Sequence, residues 1–136
     1  MGFDFGTVRI GVAIGQHITQ AARPLVTLKM RSGLPDWDTI TYLVHEWQPG
    51  LFVVGLPYHA DGTPNTVTKA ALHFSQDLQS RYQLPVETID ERLSSYAAKN
   101  YLKEKQTHGS HHKQTAIDAL AAAIILESWF CQQQYQ

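Results

Sequence analysis

The sequence predicts a layered α/β fold on one mixed five-stranded sheet, and three observations carry that reading. Three short strand-like runs with short links open the chain, the pattern of an antiparallel meander. Two later runs, LFVVGL at 51–56 and VETI at 86–89, alternate with helical patterns, as parallel strands joined by crossovers do. The length, 136 residues, suits one hydrophobic core, so 1–136 is expected to be a single domain with helices on both faces of the sheet.

The first strand is predicted at 2–5, where Phe3 and Phe5 share one face and Asp4 takes the other. Gly6-Thr7 makes a turn, and strands follow at 10–16 and within 22–29. Residues 31–38 read as a loop. Trp37, Ile40, Leu43, Val44 and Trp47 then fall at helical spacing, and Pro49-Gly50 stops that helix. LFVVGL is short and continuously apolar, which suits a central strand covered on both faces. The segment PYHADGTP is a loop, with Thr63 as expected cap and Pro64 as first residue of the next helix. Val67, Ala70, Ala71, Phe74, Leu78 and Tyr82 form its apolar face. After the strand at 86–89, Ser94 is expected to cap a helix to about 103, and 108–112 a polar loop. The last helix is expected from about Lys113, with Ile117, Leu120, Ala121, Ile124, Ser128 and Cys131 along one side.

Composition is that of an ordinary globular chain, with 43% apolar and 17% charged residues and a net charge of -1, which argues against a strongly basic nucleic-acid binder. Locally, 99–113 holds four lysines and three histidines against Glu104, a possible basic patch or simply a solvated helix end. No apolar run reaches bilayer length, and the start opens into a strand pattern rather than a signal peptide, so no membrane and a cytoplasmic location are expected. The single cysteine, Cys131, excludes an internal disulfide and reads as a small buried hydrophobe. The histidines lack zinc-ligand spacing, and there is no phosphate-cradling GxxxxGK[ST] or GxGxxG.

Three acids stand where acids need a reason. Asp4 lies inside an apolar strand, Glu91 ends a strand beside Asp90, and Asp118 sits in the apolar helix TAIDALAAAIILESWF. Strand alternation forbids Asp90 and Glu91 both pointing inward, and Asp90 is the structural member of the pair. All of Asp4, the loop after Leu56 and Glu91 fall at carboxyl ends of strands, where sites of such sheets gather. Convergent carboxylates suit a hard cation such as Mg²⁺ or Mn²⁺. The competing reading makes Asp4 a turn residue and pairs Asp118 with Arg9 or Arg92.

The pieces FDFGTVRIGVAIG, ARPL at 22–25, WQPGLFVVGLPYHADGT, DERLS at 90–94 and IDALAAAIILESWF resemble, in order and over essentially the whole chain, the YqgF/RuvX family of pre-16S rRNA nucleases, also described as Holliday junction resolvases. The resemblance implies an RNase H-like fold of the resolvase type. It implies a divalent-metal-dependent phosphodiester hydrolase, with Asp4, Glu91 and Asp118 as catalytic and metal-binding residues. Arg9 of GTxRxG and Arg92 of DER become phosphate or carboxylate partners, and Gly55, Pro57, Asp61 and Gly62 match a GLPxxxDG loop bordering the substrate groove. Lys113, closing the basic stretch, is a further expected substrate contact. Gln16 stands where many relatives carry Asp, which removes a fourth acid but leaves the trio.

The expected partner is nucleic acid, foremost precursor 16S rRNA with the ribosome nearby, and the expected state a monomer or weak homodimer. Two rivals remain open at this level: junction resolution on branched DNA, and a non-catalytic RNA- or ribosome-associated factor on the same fold.

Overall fold

The computed structural model describes residues 1–93 and 111–133, with side chains over 1–92 and 116–133. The helix expected over 94–103, most of the basic stretch 99–113 and the Lys113 side chain lie outside the described residues. The elements run β1 (Gly2–Phe5), β2 (Arg9–Gln16), β3 (Ala21–Lys29), α1 (Trp37–Trp47), β4 (Phe52–Leu56), α2 (Thr66–Tyr82), β5 (Val86–Asp90), a single 3₁₀ turn (Glu91–Leu93) and α3 (His111–Gln133). The sheet order is β3-β2-β1-β4-β5. β1–β2 and β2–β3 are antiparallel, whereas β1–β4 and β4–β5 are parallel, as the alternation of runs and helical patterns predicts.

The period-two pattern decides which helix covers which face. Phe3, Phe5, Ile10, Val12, Phe52, Val54 and Leu56 pack with Ile40 and Leu43 of α1 and Ala71, Phe74 and Leu78 of α2. Phe74 is the hub, its ring 5.3 Å from both Phe3 and Phe5 and stacked on Trp37 at 5.5 Å. The opposite face belongs to α3, through Val53, Ile89, Ile125, Leu126, Trp129 and Phe130 and, over β2, through Ala13, Ala122 and Ala123. β4 is buried at every residue because both layers cover it.

Three local expectations are corrected. α2 is capped by Asn65, not Thr63: the Asn65 side chain accepts from Thr68 N at 2.9 Å, and Thr68 Oγ1 accepts from Asn65 N at 3.0 Å. That reciprocal box satisfies two helix-end donors. Thr63 instead donates twice to Asp61, and Pro64 bridges to Tyr58. α3 starts at His111, so residues 111–112 are helical rather than loop. The third correction is the face of α3. Its buried residues are Ile117, Ala119, Ala122, Ala123, Ile125, Leu126, Trp129 and Phe130, while Leu120, Ala121, Ile124 and Ser128 are half-buried and Cys131 is exposed. The helix is apolar nearly all round, so periodicity leaves its rotation open. Close fit decides it: the alanines face β2, where the sheet carries glycines.

Candidate active site

Asp4 sits in the middle of the sheet with a glycine on each side. Its neighbour on β2 is Gly11, and its neighbour on β4 is Gly55. Directly paired residues point to the same face, so Gly11, Asp4 and Gly55 form one row under α3. The two missing side chains make the room that the site uses. A Cβ on Gly11 would stand 1.9 Å from the backbone oxygen of Asp118, so α3 rests on β2 at Asp118 itself. A Cβ on Gly55 would stand 2.8 Å from Glu91 Oε1, so the Glu91 carboxyl lies over β4. Acids from the end of β5 and from α3 thus converge on β1 from opposite sides.

Glu91 reaches that face because β5 stops at Asp90 and the chain turns into the 3₁₀ segment. Ile89 packs against α3, and Asp90 turns the other way to Arg92. The alternation read from the sequence therefore holds, with Glu91 inward and Asp90 structural.

The electrostatics follow from burial. Loss of hydration pushes the Asp4 carboxyl well above the usual carboxylate range. Repulsion from Glu91, a hydrogen bond shared with Glu91 and repulsion from Asp118 push it the same way. Asp118 is held differently: Arg9 Nε donates to its Oδ2 at 2.6 Å, with side chains only 27% and 19% exposed. The competing ion-pair reading of Asp118 is thus realised, and in a position beside Asp4. Arg9→Gln is expected to lower stability by about 2 kcal/mol, because it leaves a half-buried carboxylate without its cation. A lower urea midpoint at unchanged slope would register this.

Among the described residues, no group of three His, Cys, Asp or Glu side chains is arranged to hold a metal ion. Arg9 engages Asp118, while Asp4 and Glu91 form a hydrogen-bonded pair. That pair fits a hard cation by its donor chemistry: two adjacent carboxyl groups present the oxygens a divalent ion prefers.

The loop at 57–64 borders this edge. It is closed by the Tyr58–Pro64 bridge, by His59 N donating to Thr63 O at 2.9 Å and by Gly62 N donating to His59 O at 2.9 Å. Thr63 donates to Asp61 through its amide and hydroxyl, which holds the Asp61 carboxyl below the usual range. The Pro57 carbonyl accepts from the Thr68 hydroxyl. Arg92 packs against the loop and forks onto Asp90. Arg9, Arg92, Gly55, Pro57, Asp61 and Gly62 thus lie on the edge that carries the acids. A separate cavity of ≈590 Å³, with Trp47, Arg23 and Trp129 in its wall, opens at the opposite edge of the sheet.

The three acids expected from the sequence lie on this face, whereas Gly11 and the task of Gly55 have no counterpart in the sequence reading. The available signal was the hairpin: with Phe5 opposite Ile10, Asp4 must face Gly11.

A mixed five-stranded sheet in this order, with helices on both faces, defines an RNase H-like α/β fold. In agreement, the Thermus thermophilus RuvC structure in complex with a Holliday junction substrate superposes with a TM-score of 0.56, at 17% identity, over 99% of this chain and 94% of that one. At that identity the likeness establishes the fold. The family follows from sequence: the RuvX profile, described as Holliday junction resolvase, matches residues 1–132, and the chain belongs to this family. Relatives named "Putative pre-16S rRNA nuclease" include one from Azotobacter vinelandii, 47% identical over 133 residues, covering 97% of this chain and 92% of that protein. Another, from Proteus mirabilis, is 48% identical over 135 residues, covering 99% and 96%.

Proposed function

We propose that residues 1–136 act as one nuclease domain, a phosphodiester hydrolase dependent on Mg²⁺ or Mn²⁺ that trims the 5′ end of precursor 16S rRNA. The observation that carries this reading is the buried Asp4 carboxyl hydrogen-bonded to Glu91 beside Asp118, a group whose proton affinity is raised first by burial and then by the neighbouring acids. Such crowding costs stability and is relieved by a cation.

Asp4 and Glu91 would hold the metal, with Asp118 as the third carboxylate. When bound there, a divalent ion supplies positive charge that makes a water more acidic and steadies the phosphate oxygens. The chain's own groups do the rest. Arg9 commits its Nε to Asp118 and has further guanidinium donors with which to meet a backbone phosphate. Gly55 of β4 and the loop residues Pro57, Asp61 and Gly62 would shape one wall of the groove, Arg92 stands at that wall, and Lys113 would be a further substrate contact. No protein nucleophile is required.

The relatives' printed names favour the ribosomal substrate. The proposal places the protein in the cytoplasm near the ribosome, as a monomer or weak homodimer. Among the described residues no helix is long and apolar enough to cross a membrane. The family description favours a second reading, cleavage of branched DNA. The test is a parallel assay on 5′-extended 16S RNA and on a four-way DNA junction, with Mg²⁺, with EDTA, and with Mg²⁺ restored. Shortening of the RNA that EDTA stops and Mg²⁺ restores supports the proposal. Cutting of the junction alone replaces it with resolvase activity. Binding of RNA without cleavage at saturating Mg²⁺ or Mn²⁺ replaces it with a non-catalytic factor.

A further inference from the structure

We infer that Arg92 is a positioning residue, which latches the loop at 57–64 onto Asp90 and thereby fixes Glu91 over Gly55. The guanidinium is exposed but donates to groups of the chain itself. Its Nε donates to Asp90 at 3.1 and 3.0 Å and its Nη2 at 2.6 Å, while the Arg92 amide adds a fourth bond to Asp90 Oδ1 at 2.9 Å. The remaining arm, Nη1, donates to the Ala60 carbonyl at 3.4 Å, and the guanidinium carbon lies 5.7 Å from the Tyr58 ring centroid. Gly62, at φ +91°, leaves its Cβ position open, and Nη1 approaches that position to 3.2 Å.

Two consequences follow from this geometry. The loop is already tied within itself, and Arg92 is a tie between it and β5. The bonds from Arg92 to Asp90 also straddle Glu91 in the chain. They set the 3₁₀ turn that sends the Glu91 carboxyl to the α3 face. Loop and acid are therefore held by one side chain. A planar fork suits that task, and a lysine ammonium cannot reproduce it.

This inference deepens the proposed nuclease reading in its kinetic arm and is independent of it in its structural arm. The variants are Arg92→Gln, Arg92→Lys and Asp90→Asn, each measured for amide hydrogen exchange over 57–64. Each is also measured for kcat and KM, and for the salt dependence of binding to a short single-stranded RNA. The latch predicts that all three behave alike: loop exchange about tenfold or more faster, kcat about ten- to a hundredfold lower, and an unchanged salt slope. Were Arg92 a phosphate contact, Arg92→Gln would flatten the salt slope by about 0.7 to 0.9. Arg92→Lys would then retain most binding, and Asp90→Asn, by releasing the guanidinium, would tighten it. That set of outcomes, or loop exchange unchanged in Asp90→Asn, overturns the inference. Should the wild type cleave no RNA, the nuclease reading fails while the exchange measurement still decides the latch.

Discussion

Asp4→Asn is expected to abolish phosphodiester cleavage, by about three orders of magnitude or more, and at the same time to make the metal-free protein more stable. Both effects come from one cause. The carboxyl is buried on β1 between two glycines, with Glu91 hydrogen-bonded to it and Asp118 close by. Asparagine keeps the size and a hydrogen bond to Glu91 but carries no charge to crowd. It also cannot serve a divalent cation as an anion. A gain of about 1 kcal/mol is the usual scale when such a functional strain is removed, or roughly 3–5 °C in melting temperature for a chain of this size.

The pH dependence has a definite sign. Asp4 binds its proton more tightly folded than unfolded, so its favourable contribution is complete below the ordinary carboxylate value of about 4. It is lost as pH rises through the raised folded value. The variant does not titrate there. The stability gap between variant and wild type should therefore open with rising pH when both are unfolded in urea with EDTA present. A variant less stable than wild type at neutral pH would show that the carboxylate is not crowded.

Gly11→Ala is expected to cost about 3 kcal/mol or more, the upper range for overpacking, although one methyl is the smallest addition possible. The added carbon would stand 1.9 Å from the Asp118 carbonyl oxygen, 2.4 Å from its carbon and 3.0 Å from Ala119 N. All three are backbone atoms of α3, so no side-chain rotation relieves the overlap, and the helix must lift off β2. Lifting it also draws Asp118 away from Asp4, so cleavage should fall with stability. Gly50→Ala is the control, because its Cβ would meet nothing within 4 Å. It should stay within about 0.5 kcal/mol of wild type. A Gly11→Ala protein with a wild-type urea midpoint would rule out this close approach of helix and sheet.

These two residues show what was legible before folding and what was not. Asp4 stands out in the sequence because a charge between two phenylalanines in a strand pattern has to be accounted for. Asp118 stands out for the same reason within an apolar helix. Gly11 does not, since a glycine in GVAIG looks like any other until the hairpin register sets it beside Asp4. Arg9 was legible as a partner of Asp118, although 109 residues of chain separate them. The rotation of α3 is hidden from the sequence for the same reason as Gly11. A helix apolar all round has no preferred face by hydrophobicity alone, and Phe130 and Trp129, rather than Cys131, take the inward side. The Thr63 cap failed because two capping residues stood within three positions, and only the reciprocal bonds of Asn65 and Thr68 distinguish them.

By itself the sequence determined the layers and the acids. Period two and period 3.6 are local properties of the chain, and a charge in an apolar run declares its own cost wherever the run folds. Only the tertiary structure decided which acids meet and which cations hold them. Register across strands and the rotation of α3 depend on how closely two surfaces approach. That approach is governed by absent side chains at Gly11 and Gly55, which carry no signal until something is packed against them.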